Sequence, residues 1–236
     1  MKKLSVLPKA ILFDNDGVLI ASEPLHWSAW KVLLAQIDLP YVESEIRGWV
    51  GKTAPEIMVM LLDRHRPGWS ETEYNPHDLA LRKNDIYLKF AKSSLQPNPG
   101  VREGLQWLKE KGVKTAVVSN AKSRELHASL NLLGLRPYFD EVISRDDAPQ
   151  PKPDPAPYLL AAASLGEDIQ NCLAVEDSPP GIQAALMGKI PAAAILGTFT
   201  EKEMSQPVPG RPDLVPVALY SSMIDFFETL KSLPCS

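Results

Sequence analysis

The sequence predicts an α/β protein, with a parallel sheet core flanked by helices and a small α-helical domain inserted after the first strand. Three observations carry this. Short apolar or β-branched runs alternate with segments of helical periodicity over most of the chain. The runs are mostly apolar, as expected of strands covered on both faces. One stretch, 22–94, breaks the alternation and holds helical patterns alone. The predicted organisation is therefore a core of 1–21 and 95–236, interrupted by a helical domain of 22–94.

Ala10–Phe13 reads as the first strand. Val113–Ser119 is the second, Glu141–Ser144 a short third, Asn171–Val175 a fourth and Ala192–Leu196 a fifth. Between them, Val101, Leu105 and Leu108 recur at helical spacing, and Gly112 ends that helix. Leu126, Leu130 and Leu133 repeat the pattern up to Gly134, and Leu159, Leu160 and Ala163 do so up to Gly166. Gly181–Met187 is a shorter helix after the fourth strand. The proline-rich stretch Pro207–Pro216 reads as a surface loop before a last short strand and helix. Within the insert, helical periodicity dominates His26–Leu34, Ala54–Asp63 and Leu79–Phe90. Its tryptophans, Trp27, Trp30, Trp49 and Trp69, read as core. Pro97-Asn98-Pro99-Gly100 marks the return to the sheet.

The 236 residues are 44% hydrophobic and 23% charged, an ordinary balance for a globular enzyme. A net charge of −4 argues against nucleic-acid binding, which needs a basic face. Of the two cysteines, Cys172 sits in an apolar run and Cys235 near the terminus, where exposure is expected. A disulfide framework is not expected, which favours a reducing compartment. Pro8 and Lys9 break the short apolar stretch after Met1-Lys2-Lys3, so no signal peptide is read, and no run approaches a membrane span. A cytoplasmic protein without a membrane partner is expected, as a monomer or weak homodimer.

The densest chemistry lies in Ile11-Leu12-Phe13-Asp14-Asn15-Asp16-Gly17-Val18-Leu19. An apolar strand delivers two carboxylates into a glycine turn. In open parallel sheets, ligands bind outside the carboxyl ends of the strands. The other strand ends supply Ser119 and Asn120, then Pro151-Lys152-Pro153-Asp154, then Glu176-Asp177-Ser178. Crowded carboxylates call for a hard cation such as magnesium (Mg2+). A hydroxyl and a lysine suit phosphoryl oxygens. Asp14 is placed to attack phosphorus, and Asp16 to donate a proton and then activate water. Taken singly, each residue has a structural reading. Ser119 can cap a helix near Lys122, Lys152 can be a solvated loop lysine, and Glu176 and Asp177 can be favourable charges at a helix start.

The motifs FDNDGVL, VVSNA, PKPDP and VEDSPPGIQAA, in this order, resemble the four signatures of the haloacid dehalogenase-like hydrolases. The resemblance implies a Rossmann-like core, with the helical insert as its cap domain. It implies an aspartyl phosphate on Asp14 and acid/base work by Asp16. It implies phosphate binding by Ser119 and Lys152, with Lys152 also holding Asp14, and Asn120 is expected to contact the substrate. Magnesium would be held by Asp14, by the main-chain carbonyl of Asp16 and by Asp177, with Glu176 as a further ligand or outer support.

Within the family the chain is similar to the β-phosphoglucomutase-like and sugar-phosphate phosphatase subgroup. This implies substrate contacts by Lys122, His26, Lys83 and Asn84. The turn Gly51-Lys52-Thr53-Ala54-Pro55 matches the cap specificity loop, but mutases place an arginine where this chain has Ala54. Alanine cannot grip a second phosphate. Lys52 or Arg47 would have to substitute. The expected activity is a magnesium-dependent phosphatase for a small phosphorylated metabolite, a sugar phosphate or phosphoglycolate-like compound. A sugar-phosphate mutase is the alternative. A dehalogenase needs no metal and fits the carboxylates less well. A non-enzymatic sensor would be expected to lack Asp14 or Asp16, and both are present.

Overall fold

The structure is a computed structural model that describes residues 4–49 and 52–234. It forms two compact units, one of Met1–Ala21 with Gln96–Ser236 and one of Ser22–Leu95.

The larger unit is built on a six-stranded sheet of order β3-β2-β1-β4-β5-β6. The strands are β1 (Ala10–Phe13), β2 (Lys114–Val118), β3 (Glu141–Ile143), β4 (Cys172–Glu176), β5 (Ala192–Ile195) and β6 (Ala218–Tyr220). Each pairing is parallel, with Phe13 in register with Val117 on one side and Val175 on the other. Four of the five strands read from the sequence shift by a residue or so at an end. The change with chemical consequence is at β4, which runs on through Glu176. The chain runs outward from β1 to β2 and β3, then returns to the other flank of β1 with β4. The crevice at such a reversal lies at the carboxyl end of β1, where Asp14 follows.

Alternation along β1 feeds two cores. Ala10 and Leu12 join Ala161, Ile182 and Ala185 in the layer formed with α6 (Ala156–Ser164) and α7 (Pro179–Met187). Phe13 meets Phe139, Phe226 and Phe227, the last two on α9 (Met223–Lys231). A Cβ on Gly104 of α4 (Val101–Glu110) would lie 2.3 Å from the Phe227 ring, so glycine lets α4 and α9 approach closely. A short helix the sequence reading did not separate, α8 (Glu201–Met204), starts with a capping box between Thr200 and Glu203. Helix α5 (Ser123–Leu132) follows β2. The chain leaves this unit at Ala21 and returns at Gln96, and Ala21 N donates to Gln96 O at 3.0 Å.

The smaller unit packs α1 (Glu23–Gln36) and α2 (Ala54–His65) on α3 (Pro76–Ser94). Trp30 and Trp49 are fully buried among Leu33, Met58 and Leu62. Trp27 and Trp69 are partly buried against the same core, in line with the core reading of all four. A 3-10 helix at Glu43–Trp49 had no clear sequence signal. Helix α1 starts at Glu23, before the periodic stretch, because Pro24 suits the first turn. Among the described residues, no helix is long and apolar enough to cross a membrane. The Arg47 side chain, Val50, Gly51 and Cys235 lie outside what is described, so the expectations placed on Arg47, on Gly51 of the specificity turn and on Cys235 do too. Cys172 is a buried free thiol, as its apolar run predicts.

Candidate active site

Strand β1 ends at Phe13, and Asp14 N donates to Val175 O at 2.9 Å, extending the ladder by one bond. The next residues then turn. Gly17 adopts φ +81°, a left-handed conformation that favours glycine. Its N–H reaches Ile20 O at 3.0 Å, while Asn98 Nδ2 ties down Gly17 O and Val18 O at 2.8 Å each. A Cβ on Gly17 would lie 1.8 Å from Asp177 Oδ2, so the turn and the Asp177 carboxylate share space open only to glycine. Asp16 is half-buried and accepts from Asn15 Nδ2 at 3.2 Å.

Lys152 enters from the loop after β3 and is buried, not a solvated loop lysine. An ammonium has three donors. Here they go to Asp14 Oδ1 at 2.6 Å, Glu176 Oε1 at 2.5 Å and Val118 O at 2.7 Å. Lys152 thus holds Asp14, as expected, but in this arrangement its donors are spent on the protein. Asn120, expected on the substrate, clasps the Lys152 main chain instead. Its Oδ1 accepts from Lys152 N at 2.9 Å and its Nδ2 donates to Lys152 O at 3.0 Å. Buried main-chain groups in a loop need partners, and the carboxamide supplies both.

Glu176 is fully buried at the end of β4, not a solvated charge at a helix start. Its Oε1 accepts from Lys152 and from the Tyr158 hydroxyl at 2.7 Å, and its Oε2 from Ser178 Oγ at 3.1 Å. Ser178 also caps α7. Gly181 makes room, since a Cβ there would lie 1.9 Å from the carboxylate carbon. Asp14, Glu176 and Asp177 each offer a carboxylate oxygen within 4.8 Å of the others. The Asp16 carboxylate is not one of the three, and its expected ligand is its main-chain carbonyl. The three offer oxygen donors alone, and Lys152 bonds two of them, Asp14 and Glu176. Such a donor set fits a hard divalent cation.

The charges confirm the crowding. Burial pushes the Asp14 carboxyl up to about 8; Lys152 opposes the rise, and Glu176 and Asp16 add to it. Burial alone would depress Lys152, but Asp14 and Glu176 outweigh it and hold the ammonium above its ordinary value. Burial holds the Tyr158 phenol well above its ordinary value, with Glu176 adding to the effect, so the phenol is a donor here.

Ser119 is buried, and its Oγ accepts from Ala121 N at 3.0 Å, shaping the turn rather than capping α5. That cap comes from Asp146, which accepts from Ser123 N at 2.9 Å. Lys122 is exposed at the start of α5. In the smaller unit, His26 and Lys83 come together, with Lys83 Nζ 2.6 Å from His26 Nδ1. Lys83 is buried over Trp30 and Tyr87, and His26 stacks on Tyr87 at 3.9 Å. Asn84 is half-buried and Lys52 exposed.

The sequence reading missed Tyr158. It lies among Pro157, Leu159 and Leu160, where an aromatic reads as core. The available signal was a phenol in the first turn of the helix that follows Lys152.

A doubly covered parallel sheet with a carboxylate cluster at the carboxyl end of its first strand serves several protein classes, and comparison with known proteins says which one this is. Residues 8–187 match the haloacid dehalogenase-like hydrolase family. The chain belongs to that family. It is 31% identical over 177 residues to the phosphorylated carbohydrates phosphatase of Thermotoga maritima, covering 75% of this chain and 80% of that one. It is 30% identical over 184 residues to the fructose-1-phosphate phosphatase of Escherichia coli, covering 74% and 89%. A crystal structure of a candidate β-phosphoglucomutase from Thermotoga maritima superposes with a TM-score of 0.75 at 28% identity, covering 94% of this chain and 98% of that one.

Proposed function

We propose that this protein is a magnesium-dependent phosphoric monoester hydrolase. It acts on a small phosphorylated metabolite, a sugar phosphate or phosphoglycolate-like compound, through an aspartyl phosphate. The observation that carries the reading is the Asp14–Lys152 contact beside Glu176 and Asp177. A carboxylate fixed in position and crowded by other negative charge is a nucleophile that needs positive charge nearby to attack an anionic phosphoryl group. The phosphatase names of the relatives support the substrate class.

In the first half-reaction an Asp14 carboxylate oxygen bonds to phosphorus and the bond from phosphorus to the leaving oxygen breaks. Asp16 gives that oxygen a proton. In the second half, Asp16 takes a proton from water as the water oxygen bonds to phosphorus. The bond to Asp14 then breaks, releasing inorganic phosphate and restoring the carboxylate. Lys152 holds Asp14 and offsets charge on the transferring group. Asp14, Asp177, the Asp16 carbonyl and the remaining lone pairs of Glu176 would hold the metal, which supplies positive charge to the phosphoryl oxygens when bound. Ser119 binds a phosphate oxygen through its hydroxyl proton. Lys122, His26, Lys83, Asn84 and Lys52 contribute to the choice of substrate.

The phosphatase is favoured over the mutase because Ala54 offers no fork for a second phosphate. The test is phosphate release from a panel of phosphorylated metabolites with magnesium, alongside coupled detection of glucose 6-phosphate formed from β-glucose 1-phosphate. Phosphate release on one or a few compounds is expected. Isomer formation with little free phosphate would make the protein a mutase, and no reaction on any phosphate ester would refute the reading.

A further inference from the structure

We infer that Tyr158 is a positioning residue of this site, whose hydroxyl fixes Glu176 so that Lys152 stays on Asp14. The inference rests on the proposed roles of Asp14 and Lys152. Tyr158 is fully buried on α6, and its hydroxyl donates to Glu176 Oε1 at 2.7 Å. That is the oxygen Lys152 also reaches. Its ring lies beneath the ammonium, with Nζ 4.9 Å from the centroid. One side chain therefore touches both members of the Lys152–Glu176 pair.

The geometry gives the hydroxyl a specific task. Glu176 is removed from solvent, so its oxygens must be satisfied by the protein. Ser178 serves Oε2, while Lys152 and Tyr158 share Oε1. Without the phenol, Oε1 loses one of its two described donors and keeps Lys152. The ammonium is then drawn toward Glu176 at the expense of Asp14, since both carboxylates compete for the same charge. The apolar helix around Tyr158 explains why the ring is there but not why it carries a hydroxyl. A phenylalanine would fill the same volume.

Tyr158→Phe keeps the ring and removes the hydroxyl. Hydrolysis of p-nitrophenyl phosphate with magnesium is measured for the wild type, Tyr158→Phe, Glu176→Gln and the double variant. The kcat of Tyr158→Phe is expected to fall about tenfold, as for one lost hydrogen bond to a charged group, with KM within about twofold. The double variant is expected to be no slower than Glu176→Gln alone, because Tyr158 acts through Glu176. A kcat within about twofold of wild type, or losses that multiply in the double variant, overturns the inference. A second arm needs no turnover. The Lys152 ammonium resonance in protein labelled with 15N-lysine, identified by its loss in Lys152→Arg, is expected to shift and exchange faster in Tyr158→Phe. An unchanged resonance also overturns the inference. Failure of the wild type to cleave any phosphate ester would remove the enzymatic reading, and the ammonium arm would still decide the role of Tyr158.

Discussion

Lys152 Nζ lies 2.6 Å from Asp14 Oδ1, although 138 positions separate the two residues in the chain. Strand order brings them together. Asp14 follows β1 at the point where the strand order reverses, and the loop carrying Lys152 leads from β3 into α6, which packs back on β1. The ammonium divides its attraction between Asp14 and a fully buried Glu176. Removing the ammonium would leave two carboxylates without their shared partner, whereas neutralising Asp14 leaves Lys152 still paired with Glu176.

Asp14→Asn should abolish turnover and preserve the fold. The amide is nearly isosteric but a poor nucleophile, so kcat should fall by at least about a thousandfold. The carboxylate it replaces is crowded by Glu176 and Asp16, so the melting temperature should stay within a few degrees of wild type. Phosphate release and a thermal melt check both, and full activity in a folded variant would remove Asp14 from the mechanism.

Gly181→Ala should cost both stability and rate. Its Cβ would sit within 1.9–2.1 Å of the Glu176 carboxyl group, which must then move in a closely packed interior. Overpacking of this kind costs about 1–3 kcal/mol, measurable by urea unfolding. Gly197→Ala is the control, because nothing lies within 4 Å of its added methyl group. Equal stability of the two variants would contradict the packing described around Glu176.

Lys83 separates packing from charge in the helical unit. Lys83→Met keeps a stem against Trp30 and Tyr87 and should alter stability by less than about 1 kcal/mol, whereas Lys83→Ala leaves a hole and should cost about 2 kcal/mol or more. If Lys83 takes part in substrate choice, both variants should lower kcat/KM on the metabolite more than on p-nitrophenyl phosphate. Equal losses on the two substrates would mark Lys83 as structural.

Burial pushes the Cys172 thiol up to about 11, with Glu167 and Asp168 adding to the shift. The folded state therefore keeps a proton that the unfolded state loses. Stability should fall as pH rises between 9 and 11, and Cys172→Ala should flatten that part of the curve. At pH 8 the thiolate fraction is about one in a thousand, so iodoacetamide should label the Cys172 peptide slowly in the native protein and quickly in denaturant. Fast native labelling would contradict the burial of Cys172.

Chelation should remove activity, and magnesium should restore it. Asp14, Glu176 and Asp177 converge, and Lys152 bonds the first two, so the proposed role of the cluster is to hold a divalent cation. Undiminished activity in metal-free buffer would contradict this use of the carboxylates.

The sheet and the carboxylate cluster were legible because they rest on periodicity and topology. Apolar runs as strong as Ala10–Phe13 and Cys172–Val175 read as buried strands, and in a parallel sheet their carboxyl ends must share one edge. The sequence could not show how polar atoms are divided within the crevice. Asn120 looked like a ligand for substrate, yet it satisfies the main chain of Lys152, a need visible only when the loop conformation is known. Lys152 was expected to bind phosphate and to hold Asp14, and only the structure shows that its donors go to Asp14, Glu176 and Val118. Tyr158 was hidden by its neighbours, because an aromatic in an apolar helix turn satisfies the core pattern with or without its hydroxyl.

The most direct measurement of the central claim is a rapid acid quench with a substrate labelled in its phosphoryl group, followed by borohydride reduction and peptide mapping. The account predicts label bound to the peptide containing Asp14 during turnover, and conversion of Asp14 to homoserine on reduction. Burst release of inorganic phosphate with no label on the protein at any quench time would contradict it.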